Sequence, residues 1–168
     1  MKKVLLVFVL VCLLVAASAT TAMAYHRSFV THLKGSNEVP PTDTHAQGAA
    51  VFHLNKDGTE LRYKLIVANI NNVVAAHIHL GAEGVNGPVV AALFGPAAPG
   101  GGRVNGILSQ GTITAANLTG PLTGKSLNDL VEAMRAGNTY VNVHTNDGVP
   151  PPNTGPGDFP GGEIRGQL

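Results

Sequence analysis

Apolar and polar residues alternate with a period of two along most of this chain, the pattern of strands that bury one face. The clearest run, 47–54, puts Phe52 and Leu54 on one face and ends at Lys56-Asp57-Gly58, a hairpin turn sequence. The run 60–68 answers it, with Leu61, Tyr63, Leu65 and Val67 alternating against Arg62 and Lys64. These two strands are expected to pair antiparallel. In 73–80, Val74, Ala76, Ile78 and Leu80 share one face and Val73, Ala75, His77 and His79 the other. Shorter runs at 29–34, 89–94, 107–114, 140–145 and 163–168 read as further strands, with 95–106 and 146–162 as Pro/Gly-rich loops and 37–41 as an extended loop. One segment has helical spacing instead: Leu127, Leu130, Val131 and Met134 line one face, Ser126 is placed to cap the start, and Gly137 stops the helix near residue 136. Seven or so short strands and one short helix predict an all-β fold, an antiparallel sandwich or barrel.

The N-terminus follows a different rule. Met-Lys-Lys, an apolar run over 4–15 and the ending Ala22-Met23-Ala24 describe a secretory signal peptide at 1–24, whose apolar run is too short to span a membrane. The mature domain is expected to be 25–168, secreted or periplasmic, with no membrane span after cleavage. The chain carries 11 Lys+Arg against 10 Asp+Glu, and loss of Lys2 and Lys3 with the signal leaves it close to neutral. With no Trp and few aromatics, it lacks the basic field and stacking surfaces that nucleic-acid binding needs. The single cysteine, Cys12, lies in the signal segment, so disulfides, thiolate metal sites and a Cys nucleophile are excluded from the mature chain. Leu10 and Val11 before it do not suit lipoprotein processing. All 21 Gly and 11 Pro follow residue 24, a density that suits many turns and one β domain.

The histidines carry the most chemistry. His77 and His79, at i and i+2 on a strand, project from one face with Cα atoms roughly 6.5 Å apart. Neutral imidazole binds zinc or copper at about 2.0–2.1 Å, so this pair supplies two adjacent ligand positions. His144, on the polar side of 140–145 with Tyr140 and Asn142, is the natural third. The competing reading is an ordinary polar sheet face. An unperturbed imidazole has a pKa near 6.5, so binding at such a site should weaken below about pH 6.

Other constellations are weaker. Glu163 and Arg165 share a face of the last strand, where an ion pair is the first expectation and support of a ligating imidazole by Glu163 the second. Glu38, between Asn37 and Val39-Pro40-Pro41, reads as a loop-anchoring acceptor before a ligand. His26, His32 and His45 read as surface residues, and His53 has no partner by spacing. Gly81-x-x-Gly84-x-x-Gly87 precedes a strand and is no dinucleotide motif. No nucleophile elbow or phosphate loop is present. Catalysis therefore has little support.

Taken together, the motifs resemble the chordin-type domain, CHRD. They run, in order, through Leu33-x-Gly35-x-Asn37-Glu38-Val39-Pro40-Pro41, Thr44, Gly48 and Leu61-x-Tyr63-x-Leu65. They continue through Ala75-Ala76-His77-Ile78-His79-x-Gly81, Gly84 and Gly87-Pro88-Val89. Last come Gly137-x-x-Tyr140-Val141-Asn142-Val143-His144-Thr145 and 161–167. The resemblance implies an antiparallel Ig-like or Greek-key sandwich. It also implies the setting of secreted bacterial proteins and of chordin, an animal growth-factor antagonist, with no settled enzymatic activity. His77-Ile78-His79 with Val143-His144 is also similar to the copper/zinc superoxide dismutases. A matching fourth histidine, a zinc subloop and the structural cysteines are missing, which makes dismutase activity doubtful. These readings converge on binding of copper, or zinc, by His77, His79 and His144. The alternative is an extracellular protein-binding or envelope structural module without metal, recognising its partner through loops such as 95–106 and 146–162.

Overall fold

The computed structural model describes residues 27–168, so the signal segment and His26 lie outside the described residues. Eight strands form one antiparallel sheet: β1 (Ser28–Lys34), β2 (Gln47–Leu54), β3 (Leu61–Asn71), β4 (Val73–Leu80), β5 (Val89–Phe94), β6 (Arg103–Ile113), β7 (Thr139–Thr145) and β8 (Ile164–Gln167). Their order is β5-β4-β7-β8-β1-β2-β3-β6. The sheet curls until β5 and β6 approach each other, giving a nearly closed barrel. The one α-helix among the described residues, α1 (Leu127–Arg135), buries Leu127, Leu130, Val131 and Met134, the stripe its spacing predicts.

The barrel interior is apolar. Leu33, Phe52, Leu65, Ile70, Ile78, Val141, Val143 and Ile164 are fully buried there. β2 and β3 pair as expected, with Phe52 opposite Tyr63 and Leu54 opposite Leu61. Three departures from the sequence pattern have local causes. β3 runs on past Ala68 to Asn71 through a register shift between Val67 and Ile70, where Asn69 takes φ 56°, a left-handed conformation that asparagine accepts more readily than most residues. β6 begins at Arg103 rather than 107, and Gly106, expected in a loop, pairs with Val67. In β4 a register shift between Val73 and Ala75 turns Val73, not Val74, into the core, and period two then resumes with Ala76 and Ile78 inside. The shift leaves His77 and His79 outside the barrel.

Candidate metal centre

β4 and β7 are neighbours, paired so that Ala75 faces His144, His77 faces Asn142 and His79 faces Tyr140. Because Ala76, Ile78, Val141 and Val143 fill the core, the alternate residues His77, His79, Tyr140, Asn142 and His144 share the outer face. The three histidines form a triangle with ring centroids 5.1, 5.7 and 5.8 Å apart. One ring nitrogen from each lies within 4.8 Å of the others. Among the described residues, no carboxylate or thiolate joins this group.

The hydrogen bonds fix which nitrogens face inward. Carbonyl oxygens only accept, so Nδ1–H of His79 donates to Gly87 O at 2.9 Å and Nδ1–H of His144 donates to Pro160 O at 2.9 Å. Both rings therefore keep Nε2 as a lone pair. In His144 that lone pair accepts from Nδ1–H of His77 at 3.2 Å. In His79 it is buried with no partner, a cost that a bound ion or water relieves. Three nitrogens around one ion at about 2.0–2.1 Å in tetrahedral directions stand about 3.3–3.4 Å apart. The His77–His144 pair is already at that spacing. His79 needs to close by up to about 1.5 Å, and His77 needs to move its proton to Nε2.

Burial lowers the pKa of all three rings. Desolvation is the leading cause in each case, with repulsion from His79 adding to it at His77 and from Arg165 at His79. For His144, desolvation helped by the other two rings brings the pKa to about 4, against the opposing pull of the Pro160 carbonyl. The cluster is thus neutral at physiological pH, the form that coordinates. A soft-to-borderline, all-nitrogen donor set fits copper or zinc and does not suit magnesium or calcium.

Around the rings lies a buried polar layer. Glu38 is 5% exposed, and both its carboxyl oxygens accept from Asn142 Nδ2 at 3.0 Å. Burial raises its pKa to about 8 despite the nearby Arg165 charge and the Asn142 bond. Its contacts are those of a loop anchor. Glu163 and Arg165 do not take each other as partners: Glu163 Oε1 accepts from Thr44 at 2.6 Å, and Oε2 accepts from Thr145 at 2.7 Å and from Gly157 N at 2.9 Å. Glu163 therefore ties down the loop that carries Pro160, one link removed from the His144 ring. Arg165 instead lies 3.4 Å from the Tyr140 ring centroid and donates to Asn86, Ala82 O and Val85 O. His53 has a partner after all, the Ser28 hydroxyl at 3.0 Å, supplied by the β1–β2 register. His32 and His45 are exposed.

Sequence reasoning missed Tyr140, which stacks on His79 with centroids 4.8 Å apart and planes at 11°. Its place beside Asn142 and His144 on one strand face was the available signal. The Gly87 and Pro160 carbonyls left none, since every residue has one. No helix among the described residues is long and apolar enough to cross a membrane. No curated protein and no solved structure matches the chain. The CHRD domain, however, matches residues 29–168, a span that holds all eight strands but the first residue of β1, and all three histidines. With that coverage the chain belongs to the CHRD domain family.

Proposed function

We propose that this CHRD-domain protein is exported, with cleavage after Ala24, and binds a divalent metal, copper in preference to zinc, through His77, His79 and His144. The observation that carries the reading is the convergence of three neutral imidazoles with a buried, unpartnered His79 Nε2 among them. Three nitrogens leave a tetrahedral or tetragonal ion at least one open position. Binding is the activity proposed. The choice of copper rests on the resemblance of the short motifs His77-Ile78-His79 and Val143-His144 to those of copper/zinc superoxide dismutases, an analogy of motif alone.

The test is titration of untagged mature protein with Cu(II) and Zn(II), alongside His144→Ala. Saturable one-to-one binding with a raised melting temperature in the wild type, lost in the variant, is expected. A hundredfold excess over Kd adds about 2.7 kcal/mol. Equal, weak, non-saturating binding in both would defeat the reading. The mass of the secreted material tests export: it should begin at Tyr25, and retention of residues 1–24 would sink that part.

A second reading, a protein-binding module, has one observation in its favour. Val30, Val51, Ile66 and Ile107 are 59, 40, 37 and 56% exposed on one outer face of β1-β2-β3-β6. This lies on strands rather than on the loops 95–106 and 146–162. Wild-type protein that binds no metal would put this reading ahead.

A further inference from the structure

Arg165 is the largest fully buried side chain, 1% exposed, and the two ion pairs found among the described residues, Arg62–Glu60 and Arg135–Glu132, do not include it. Burying a guanidinium among mainly neutral oxygens is a poor route to stability. Its contacts suggest a geometric task. Nη2 donates to Ala82 O at 3.3 Å and to Val85 O at 2.9 Å, and Nη1 donates to Asn86 Oδ1 at 3.1 Å. One planar fork thus grips three points of the turn 81–88, as guanidinium geometry allows and an ammonium does not. The same guanidinium lies over the Tyr140 ring, its Cζ 3.4 Å from the centroid, and the His79 imidazole stacks with that ring as well.

The turn ends in Gly87, and there the two contacts meet. Gly87 N–H donates to the Tyr140 hydroxyl at 3.0 Å, while the Gly87 carbonyl receives Nδ1–H of His79. Leu80 N donates to Pro88 O at 2.9 Å, and a Cβ at Gly87 would run into the Leu80 carbonyl, so only glycine lets the chain pass this close. A neutral imidazole has two tautomers, and which one forms is set by the bond its other nitrogen makes. Here the Gly87 carbonyl selects Nδ1–H and leaves the Nε2 lone pair facing the cluster.

We propose that Arg165 is a positioning residue for the metal centre: by clamping the turn 81–88 and the Tyr140 ring it aims the Gly87 carbonyl at His79 and holds that imidazole in the Nδ1–H tautomer. The proposal rests on the metal reading for its purpose, but the tautomer belongs to the metal-free protein and can be read there. Supporting groups of this kind are worth 10–100-fold in metal affinity.

The experiment compares wild type, Arg165→Lys and Tyr140→Phe. The ¹⁵N shifts of the His79 ring are recorded without metal, then Cu(II) affinity is measured. Wild type should show a single Nδ1–H tautomer at His79. Folded Arg165→Lys, which keeps the charge but loses the fork, should show a mixture of tautomers and a 10–100-fold weaker affinity, with Tyr140→Phe changed in the same direction. If Arg165→Lys fails to fold, Asn86→Ala, an exposed partner of the guanidinium, replaces it and is read the same way. A folded variant with His79 still wholly Nδ1-protonated and wild-type affinity overturns the proposal. Wild type that binds no copper ends the metal reading, yet the tautomer comparison still decides whether Arg165 sets the ring.

Discussion

An imidazole ligand competes with protons, so the pKa of each ring sets the pH at which a metal is lost. An unperturbed set would lose it below about pH 6. Burial moves all three values down, that of His144 to about 4. Copper affinity should therefore persist to lower pH than an unperturbed imidazole set allows, with the His144 bond the last to yield to protons, toward pH 4, as a pH series of titrations will show. Stability without metal follows the same sign: the unfolded chain takes protons from about pH 6.5 downward and the folded rings only at lower pH, so stability falls as pH drops below 6.5. Glu38 works the other way. Its folded pKa of about 8 lies above the ordinary carboxyl value of 4.5, so the folded state binds the extra proton, and its contribution to stability is full below pH 4.5 and lost as pH rises through 8. Glu38→Gln keeps an acceptor for Asn142 and removes the proton. It should flatten the alkaline limb of the melting profile and stabilise the protein at pH 8–9 by an amount on the order of a few kcal/mol. An unchanged alkaline limb would show that Glu38 is ionised in the fold. The three histidines were legible because strand period alone places i and i+2 on one side, but the depth of their burial was not, since it depends on the loops 81–88 and 146–162 folding over that face.

Among the elements, the helix and most strand ends were read to within a residue, while the end of β3 and the start of β6 were missed by three and four, and the difference is physical. Caps are local: Ser126 Oγ and N both donate to Asp129 Oδ2, at 2.5 and 2.8 Å, and both residues stand in the sequence at the expected spacing. Ser126→Ala should cost about 1 kcal/mol in denaturant melts. It should leave copper affinity as it was, since the cap shares no contact with the histidines. A change in affinity would mean that α1 is coupled to the site. Strand ends are decided by the partner strand instead. Nothing in Arg103, Val104 or Asn105 announces a strand, and β6 starts there because β3 offers Ile70 and Asn71 across from it. The bulge that moves Val73 inward is likewise a property of β4 against β7, invisible in either alone.

At the scale of the molecule, the all-β class, the antiparallel β2–β3 pair and helix α1 could be read from the chain because alternation, turn residues and a 3.6-residue stripe each name one kind of element. The strand order could not, since β1 lies between β2 and β8 through contacts that join the two ends of the domain, Lys34 facing Arg165. The near-closure of the sheet has a consequence for how the protein behaves in company. An open sheet edge is a template on which a second chain can add a strand, the first step toward swapped dimers and fibres. Here the Tyr63 hydroxyl on β3 donates across the seam to Leu93 O of β5 at 2.8 Å, and the passing segment adds Thr119 N to Val90 O with a bridge from Leu118 to Ala91. The β5 backbone is thereby occupied. Tyr63→Phe removes one stitch, so concentrated, warmed protein should form intermolecular β-structure sooner than the wild type, measured by light scattering and thioflavin fluorescence. Equal lag times would mean that the passing segment alone guards the edge. With no cysteine after position 12, the barrel has only such non-covalent stitches between its last strand edges and its neighbours.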